Sequence, residues 1–311
     1  MEFGRVEPGE LDAIDHSLPP DSARTKDVLK AAKSKGKGRV HFGCAKWGRK
    51  EWNGILYPKG TKEKDYLPEY AKHFSCIELN ASFYKIYPPA DIKNWAKSTT
   101  KDFLFCPKFY QGITHYRRLK NCEELTSSFL GSIHAFGKKR GPCFLQLPNN
   151  FGTKNFEALK DYLLALPRDL EVFVEVRHTD WFTTDYRDKL YEFLASNKNG
   201  WVITDTSGRR DCVHTELPIP KAFIRFVGNN IHPTDYPRID AWINRIDKWL
   251  KAGIQDIYFM MHQHNEAKTP VISEYMIKKV NKKCGITLPV PKLLTPDTGS
   301  RKITKSLIMT K

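Results

Sequence analysis

After Gly38 the chain alternates short β-rich runs with longer stretches of helical periodicity, and keeps doing so to about residue 285. The β-rich runs are 40–47, 75–83, 103–109, 142–148, 170–178, 200–206, 221–228 and 254–264. Helices are predicted between them at 62–73, 89–98, 121–136, 154–165, 184–197, 235–252 and 268–283. Strands that alternate with helices argue for parallel βα units. The sixth and seventh runs are separated only by SGRRDCVHTELPIP, which is too short and too broken for a full helix. Eight repeats over this length predict an α/β fold, a (β/α)8 TIM-type barrel with one degenerate helix between strands six and seven. Residues 1–38 read as a partly disordered N-terminal extension, 39–285 as the barrel and 286–311 as a C-terminal tail. Within the extension a short helix is predicted near 22–34, followed by the flexible basic hinge SKGKG.

Side chains alternate between the two faces of a strand. In the fifth run Val172, Val174 and Val176 share one face and Phe173, Glu175 and Arg177 the other. In a barrel the first set packs on helices and the second points inside. By the same reading the inward sets are Glu78, Asn80 and Ser82; Leu104, Cys106 and Lys108; Phe144 and Gln146; Trp201, Ile203 and Asp205; and Phe223 and Arg225. Apart from Glu78, each begins apolar or neutral and ends polar. Polar groups at the carboxyl ends of barrel strands are where active sites of this fold are built. Unpaired buried charge is too costly to recur around a barrel without a use or a partner.

Composition narrows the class. Hydrophobic residues make up 40% of the 311, enough for a sizeable core. No apolar run approaches membrane-spanning length, and MEFGRVEPGELDAIDH lacks a basic region followed by an apolar one, so no membrane partner is expected. Seven cysteines with no CxxC pair suggest reduced, buried thiols and a cytoplasmic protein. Net charge is +16; the extension contributes zero and residues 297–311 contribute +3, leaving +13 on the body. A positive body attracts polyanions without specifying one. No GxGxxG, GxxxxGK[ST] or GxSxG motif occurs, so dinucleotide, ATP and serine-hydrolase chemistry lack their usual support.

The matching stretches GCAKWGRKEWNGILYPKG, YAKHFSCIELNASFYKIYPPADIKNWAKSTTKDFLFCPKF, ITHYRRLKN, GPCFLQLPNNF and VEVRHTDWF resemble, in order and spacing from about 39 to 266, the domain of unknown function 72 family, the YecE-like proteins. The resemblance implies a TIM-type barrel and a pocket at its mouth, and supplies no catalytic assignment. Two walls depart from the family pattern. Strand one carries Lys46 and Arg49 where the family reads GTSGWSY-like, and strand eight ends MMHQHNE instead of in a short Asn-rich motif.

The residues themselves suggest roles. Glu175, Asp205 and Glu78 are the candidate catalytic carboxylates, as general base or metal ligands. Arg177, Lys108 and Arg225 are candidate anion clamps, or the neutralising partners of those carboxylates. Asn80 and Gln146 are candidate ligand contacts, and His178 is a candidate imidazole beside Trp181. Trp47, Tyr84 and Trp181 are rings suited to a flat base or sugar, or to rim packing. His262 and His264, at i and i+2, can share one metal with Glu175 and Asp205, and alternation alone leaves open whether these two or Met261 and Gln263 face inward. The expectation is an enzyme acting on a phosphate-bearing or otherwise anionic ligand, with nucleic acid among the candidates, as a hydrolase or phosphodiesterase assisted by a divalent metal. The alternatives are a non-catalytic barrel binding an anionic metabolite or nucleic acid, and a metal-independent sugar-type enzyme.

Overall fold

The computed structural model describes residues 3–32 and 38–294. Most of the hinge predicted at 34–38, and the tail beyond 294, lie outside the described residues. Eight parallel strands are present: β1 (Arg39–Cys44), β2 (Cys76–Leu79), β3 (Leu104–Pro107), β4 (Cys143–Gln146), β5 (Val172–Glu175), β6 (Gly200–Asp205), β7 (Lys221–Gly228) and β8 (Asp256–Gln263). They pair in the order β3-β2-β1-β8-β7-β6-β5-β4. The remaining seam, β3 to β4, is closed by isolated bridges Phe105↔Arg140 and Lys108↔Phe144. The sheet is thus a nearly closed (β/α)8 barrel.

The α-helices are α1 (Ala23–Ala32), α2 (Tyr66–Tyr70), α3 (Ala81–Tyr84), α4 (Pro89–Lys97), α5 (Glu123–His134), α6 (Phe156–Ala165), α7 (Thr184–Ser196), α8 (Asp235–Ala252) and α9 (Thr269–Cys284). Between β6 and β7 there is only a 3-10 turn, Arg210–Cys212, at the predicted degenerate position. The longest helix shows why these segments coil where they do. In α8 the buried Ile239, Trp242, Ile243, Ile246 and Trp249 fall at spacings of three and four, which place them on one face. Each buried side chain of that size contributes roughly 1.5–3 kcal/mol. The helix stops at Gly253, whose φ of 117° lies in the left-handed region that a side chain disfavours.

The core has two parts. One lies between strands and helices and holds most of the apolar residues. The other fills the barrel with Cys76, Cys106, Phe144, Phe173, Val202, Phe223, Tyr258 and Met260. Directly above this apolar plug comes a polar layer, since Glu78, Gln146, Glu175, Arg225 and His262 each lie two residues further along their strands.

Two predicted strands are corrected. β2 ends at Leu79, and the run predicted to reach 83 turns into α3. Ser82 is therefore not an inward strand position; its hydroxyl donates to the carbonyls of Leu79 and Lys108. In β6 the face is inverted. Val202 belongs to the interior plug, while Trp201 and Ile203 pack under the helices. The cause sits at Gly200, where a Cβ would come within 2.1 Å of the Phe173 ring. The bulk of Phe173 requires a glycine facing it, and that sets the phase of the whole strand.

The N-terminal residues lie against the barrel. Asp21 accepts from Arg245 and Trp249 of α8, and Thr25 of α1 donates to the Thr215 carbonyl. All seven cysteines are free, six buried and Cys284 half-buried. No helix among the described residues is long and apolar enough to cross a membrane.

Candidate functional site

A cavity of about 1010 Å3 opens at the carboxyl ends of the strands. Its lining includes Glu78, Asn80, Lys108, Gln146, Arg177, Arg225, His262 and His264, with Trp47 and Tyr84 toward the rim. The two histidines therefore face the pocket together, and Gln263 turns away to accept from the Ile231 amide.

Arg225 organises the floor. It is almost fully buried and forks onto both oxygens of Glu78 at 2.8 Å, while its third nitrogen reaches Glu175 at 2.7 Å. Arg177 bonds the other oxygen of Glu175 at 2.7 Å. Burial alone would raise both carboxyl pKa values; Arg225 and His262 reverse this for Glu78 and hold it well below the ordinary range, and Arg177 and Arg225 hold Glu175 below it. Asn80 donates to Glu78 as well.

Beside this ionic group sits a second feature. Lys108 and Arg177 both donate to one oxygen, Oε1 of Gln146, at 2.8 and 3.0 Å. The Lys108 ammonium also lies 4.0 Å from the centre of the Phe83 ring. Among the described residues no carboxylate comes within ion-pair distance of Lys108. Burial and the neighbouring Arg225 lower its pKa to about 7, against the opposing pull of Glu175 and Glu78. On the opposite wall Glu78 bonds His262 at 3.1 Å, which bonds Glu266 at 3.3 Å, which accepts from Thr269 at 2.7 Å. Burial would lower the His262 pKa, but the two glutamates raise it.

Three predicted site residues lie elsewhere. Asp205 points out of the barrel, because β6 has the opposite phase. It is buried against Arg238, Arg210 and the Trp242 indole, at 2.8, 2.5 and 2.7 Å. Burial would raise its pKa, yet these cations lower it to about 2. Trp181 is a buried packing residue whose indole donates to the Phe151 carbonyl. His178 accepts from the Asp180 amide in the loop after β5 and does not line the cavity. Glu175 sits just behind the lining, screened by Arg177 and Arg225.

The proposed metal set of Glu175, Asp205, His262 and His264 is not assembled. Asp205 is on the far side of the sheet, Glu175 is held by two arginines, and no group of three metal-type ligands occurs among the described residues. The donor set does not fit a divalent cation.

Sequence reasoning missed Glu266, His115 and Tyr116, which also line the cavity. Glu266 lies four residues after His262, a spacing that offers no strand signal because the chain has already turned. His115 and Tyr116 belong to a π-helical turn, Gly112–Tyr116, with no periodicity to read. Phe3 was also missed. Its ring covers the Arg177 guanidinium at 4.2 Å and that of Arg209 at 5.1 Å.

The sequence model of the family described as "Protein of unknown function DUF72" matches residues 41–294. The chain is 27% identical over 269 residues to the UPF0759 protein YecE of Escherichia coli, covering 80% of this chain and 94% of that one. It is 28% identical over 170 residues to the UPF0759 protein YunF of Bacillus subtilis, covering 52% of this chain and 58% of that one. Among solved structures, a DUF72 family protein from Enterococcus faecalis superposes with TM-score 0.61 at 18% identity, over 81% of this chain and 99% of the other. Another from Thermotoga maritima gives 0.58 at 22% identity, over 75% and 95%.

Proposed function

The chain belongs to the DUF72 family, and from that premise we propose that its strand-end pocket is the working site of an enzyme that acts on a small anionic ligand without a metal. One observation carries this reading: Lys108 and Arg177 converge on a single neutral acceptor at the cavity floor. Both strand-borne glutamates of the floor are already matched by Arg225 and Arg177. The floor therefore presents more cationic donors than anionic acceptors, in a buried setting that strengthens charge-assisted hydrogen bonds. A phosphate or carboxylate placed there takes the position that Gln146 fills between the two cations.

Glu78 and Glu175 act here as counter-charges that hold the arginines in place, not as bases, since each is pinned in its ionised form. The same pinning argues against the sugar-type alternative, which needs one carboxyl free to hold a proton. The rim suits the rest of the ligand. Tyr84 and Tyr116 are 67% and 71% exposed beside the cavity, with Trp47 near them, so rings are available for a flat or apolar portion. A clamp at the cavity floor favours a small molecule over a duplex backbone.

The test is a thermal-shift panel of phosphate- and carboxylate-bearing metabolites on EDTA-treated protein. A stabilising compound is expected, and its effect is expected to disappear in Arg177→Ala and Lys108→Met. Stabilisation that needs a divalent cation, or that persists in both variants, would sink the reading.

A further inference from the structure

We propose that Lys108 is a covalent amine that condenses with the carbonyl of its ligand, and that the ligand class is a carbonyl compound bearing a carboxylate or phosphate close to that carbonyl. This rests on the anionic-ligand reading and adds the bond that forms.

The geometry has three parts. First, Lys108 is a buried lysine that opens into a cavity and, among the described residues, has no carboxylate partner. The floor carboxylates that would normally hold it as an ammonium are held by Arg225 and Arg177. The groups facing it are Arg225 from β7, Glu175 and Arg177 from β5 and its following turn, Glu78 from β2, Gln146 from β4, the Phe83 ring from α3 and His115 from the π-helical turn. Burial, with Arg225 and Arg177, outweighs Glu175 and Glu78 and brings its pKa to about 7, so that near neutrality about half the amine carries a free electron pair.

Second, Lys108 and Arg177 each lie within 3.0 Å of one Gln146 oxygen, so their nitrogens are less than about 6 Å apart. That spacing fits a molecule whose anionic group sits one to three bonds from its carbonyl carbon. The anion lies on Arg177 while the carbonyl meets Lys108. Third, the ring faces of Phe83 and Phe144 flank the nitrogen at 4.0 and 5.8 Å. Such faces favour a delocalised cation and keep bulk water from it.

The step balances without any further reagent. The Lys108 Nζ pair attacks the carbonyl carbon, a C–N bond forms and the C=O π bond opens onto oxygen. The two amine protons leave with that oxygen as water, giving an imine. One proton from solvent makes it an iminium, which carries the charge of the original ammonium, so Glu78 and Glu175 stabilise it as they would the lysine. An iminium next to an anion-bearing carbon is the electron sink needed to remove a proton or break a carbon–carbon bond at the neighbouring position.

The experiment uses two probes, pyruvate and pyridoxal 5′-phosphate, each with borohydride, followed by peptide mapping. Deoxypyridoxine 5′-phosphate, which has the phosphate but no aldehyde, serves as the binding control. The expected result is one dominant reduced adduct on the Lys108 peptide, competed away by the control compound. Its formation rate should rise about tenfold per pH unit up to 7 and then level off, whereas exposed lysines keep gaining reactivity toward 10.4. Lys108→Met should lose both the adduct and the control compound, whereas Lys108→Arg, which keeps the cation but cannot form the imine, should lose the adduct and still bind the control. If the control compound binds but labelling is spread over exposed lysines with none on Lys108, the covalent proposal is overturned and anion binding stands. If neither probe nor control binds the wild-type protein, both readings fall.

Discussion

Arg225 shows how one residue fixes the floor of the pocket. Its guanidinium satisfies two buried carboxylates at once, so removing it takes from Glu78 its one arginine and from Glu175 one of its two. Breaking a buried pair on one side costs about 3–5 kcal/mol. Arg225→Met is therefore expected to lose about that much in chemical denaturation, with Glu78→Gln losing less because Glu175 and Asn80 remain as neighbours. Asp205 makes the contrasting case, a buried charge with no part in the site. Its folded pKa of about 2 lies below the starting value of 3.8. The stabilisation it gives is thus complete above pH 3.8 and lost as pH falls through about 2. On the linkage relation that is on the order of 2 kcal/mol. Asp205→Asn is expected to lower stability by that order at neutral pH, to flatten the acid limb of the stability profile, and to leave ligand binding unchanged. The sequence offered Arg225, with Arg177 and Lys108, as a neutralising partner of the three carboxylates. It did not show that Arg238 and Trp242, more than thirty positions along the chain, would take Asp205 for themselves.

At the level of elements, alternation placed inward both the apolar Cys106, Phe144, Phe173 and Phe223 and the polar Glu78, Lys108, Gln146, Glu175 and Arg225, as the structure has them. β6 failed because both of its faces are buried, and parallel strands of that kind read as a continuous apolar run without a phase. Aspartate at the strand end looked like a pocket residue by analogy with its neighbours. The informative letter was Gly200, which only becomes meaningful once Phe173 is known to lie opposite. The docking of the N-terminal segment was not legible. Thr206 donates to the carbonyls of Phe3 and Gly4, and Arg210 to those of His16 and Ser17, so the segment runs along the loop after β6. Its Phe3 rests on the outer face of Arg177. Phe3→Ala is expected to cost less than about 1 kcal/mol of global stability, in line with a partly exposed cation–π contact. It should weaken anion binding about two- to fivefold by releasing Arg177 from its set orientation. Calorimetric titration with the best ligand from the panel measures this, and equal affinity in both proteins would show that Phe3 only packs.

At the scale of the whole barrel the weak place and the working place coincide. Seven strand-to-strand contacts are ladders, whereas β3 and β4 meet through isolated bridges. Two backbone hydrogen bonds span this seam, from the Phe109 amide to Phe144 and from the Gly141 amide to Phe105. The Lys108–Gln146 side-chain bond crosses it at the top. Closure of the barrel thus depends in part on Lys108, one half of the proposed clamp, and on Gln146, the acceptor that both halves share. Eight repeats in the sequence implied a closed barrel, but the uneven closure was not legible, since β2 and β5 are four residues long like β3 and β4 and pair in ladders all the same. Amide exchange is where the consequence appears. The Phe109 and Gly141 amides are expected to exchange faster than those in the long β7–β8 ladder, because fewer cooperative bonds must open. A ligand that replaces the Gln146 oxygen between Lys108 and Arg177 binds across the seam and should slow those two amides while leaving β7–β8 unchanged. Lys108→Met should speed them in the absence of ligand. If ligand protection appeared instead around β7 and β8, the anion would be sitting away from the clamp, and the link between barrel closure and binding would be wrong.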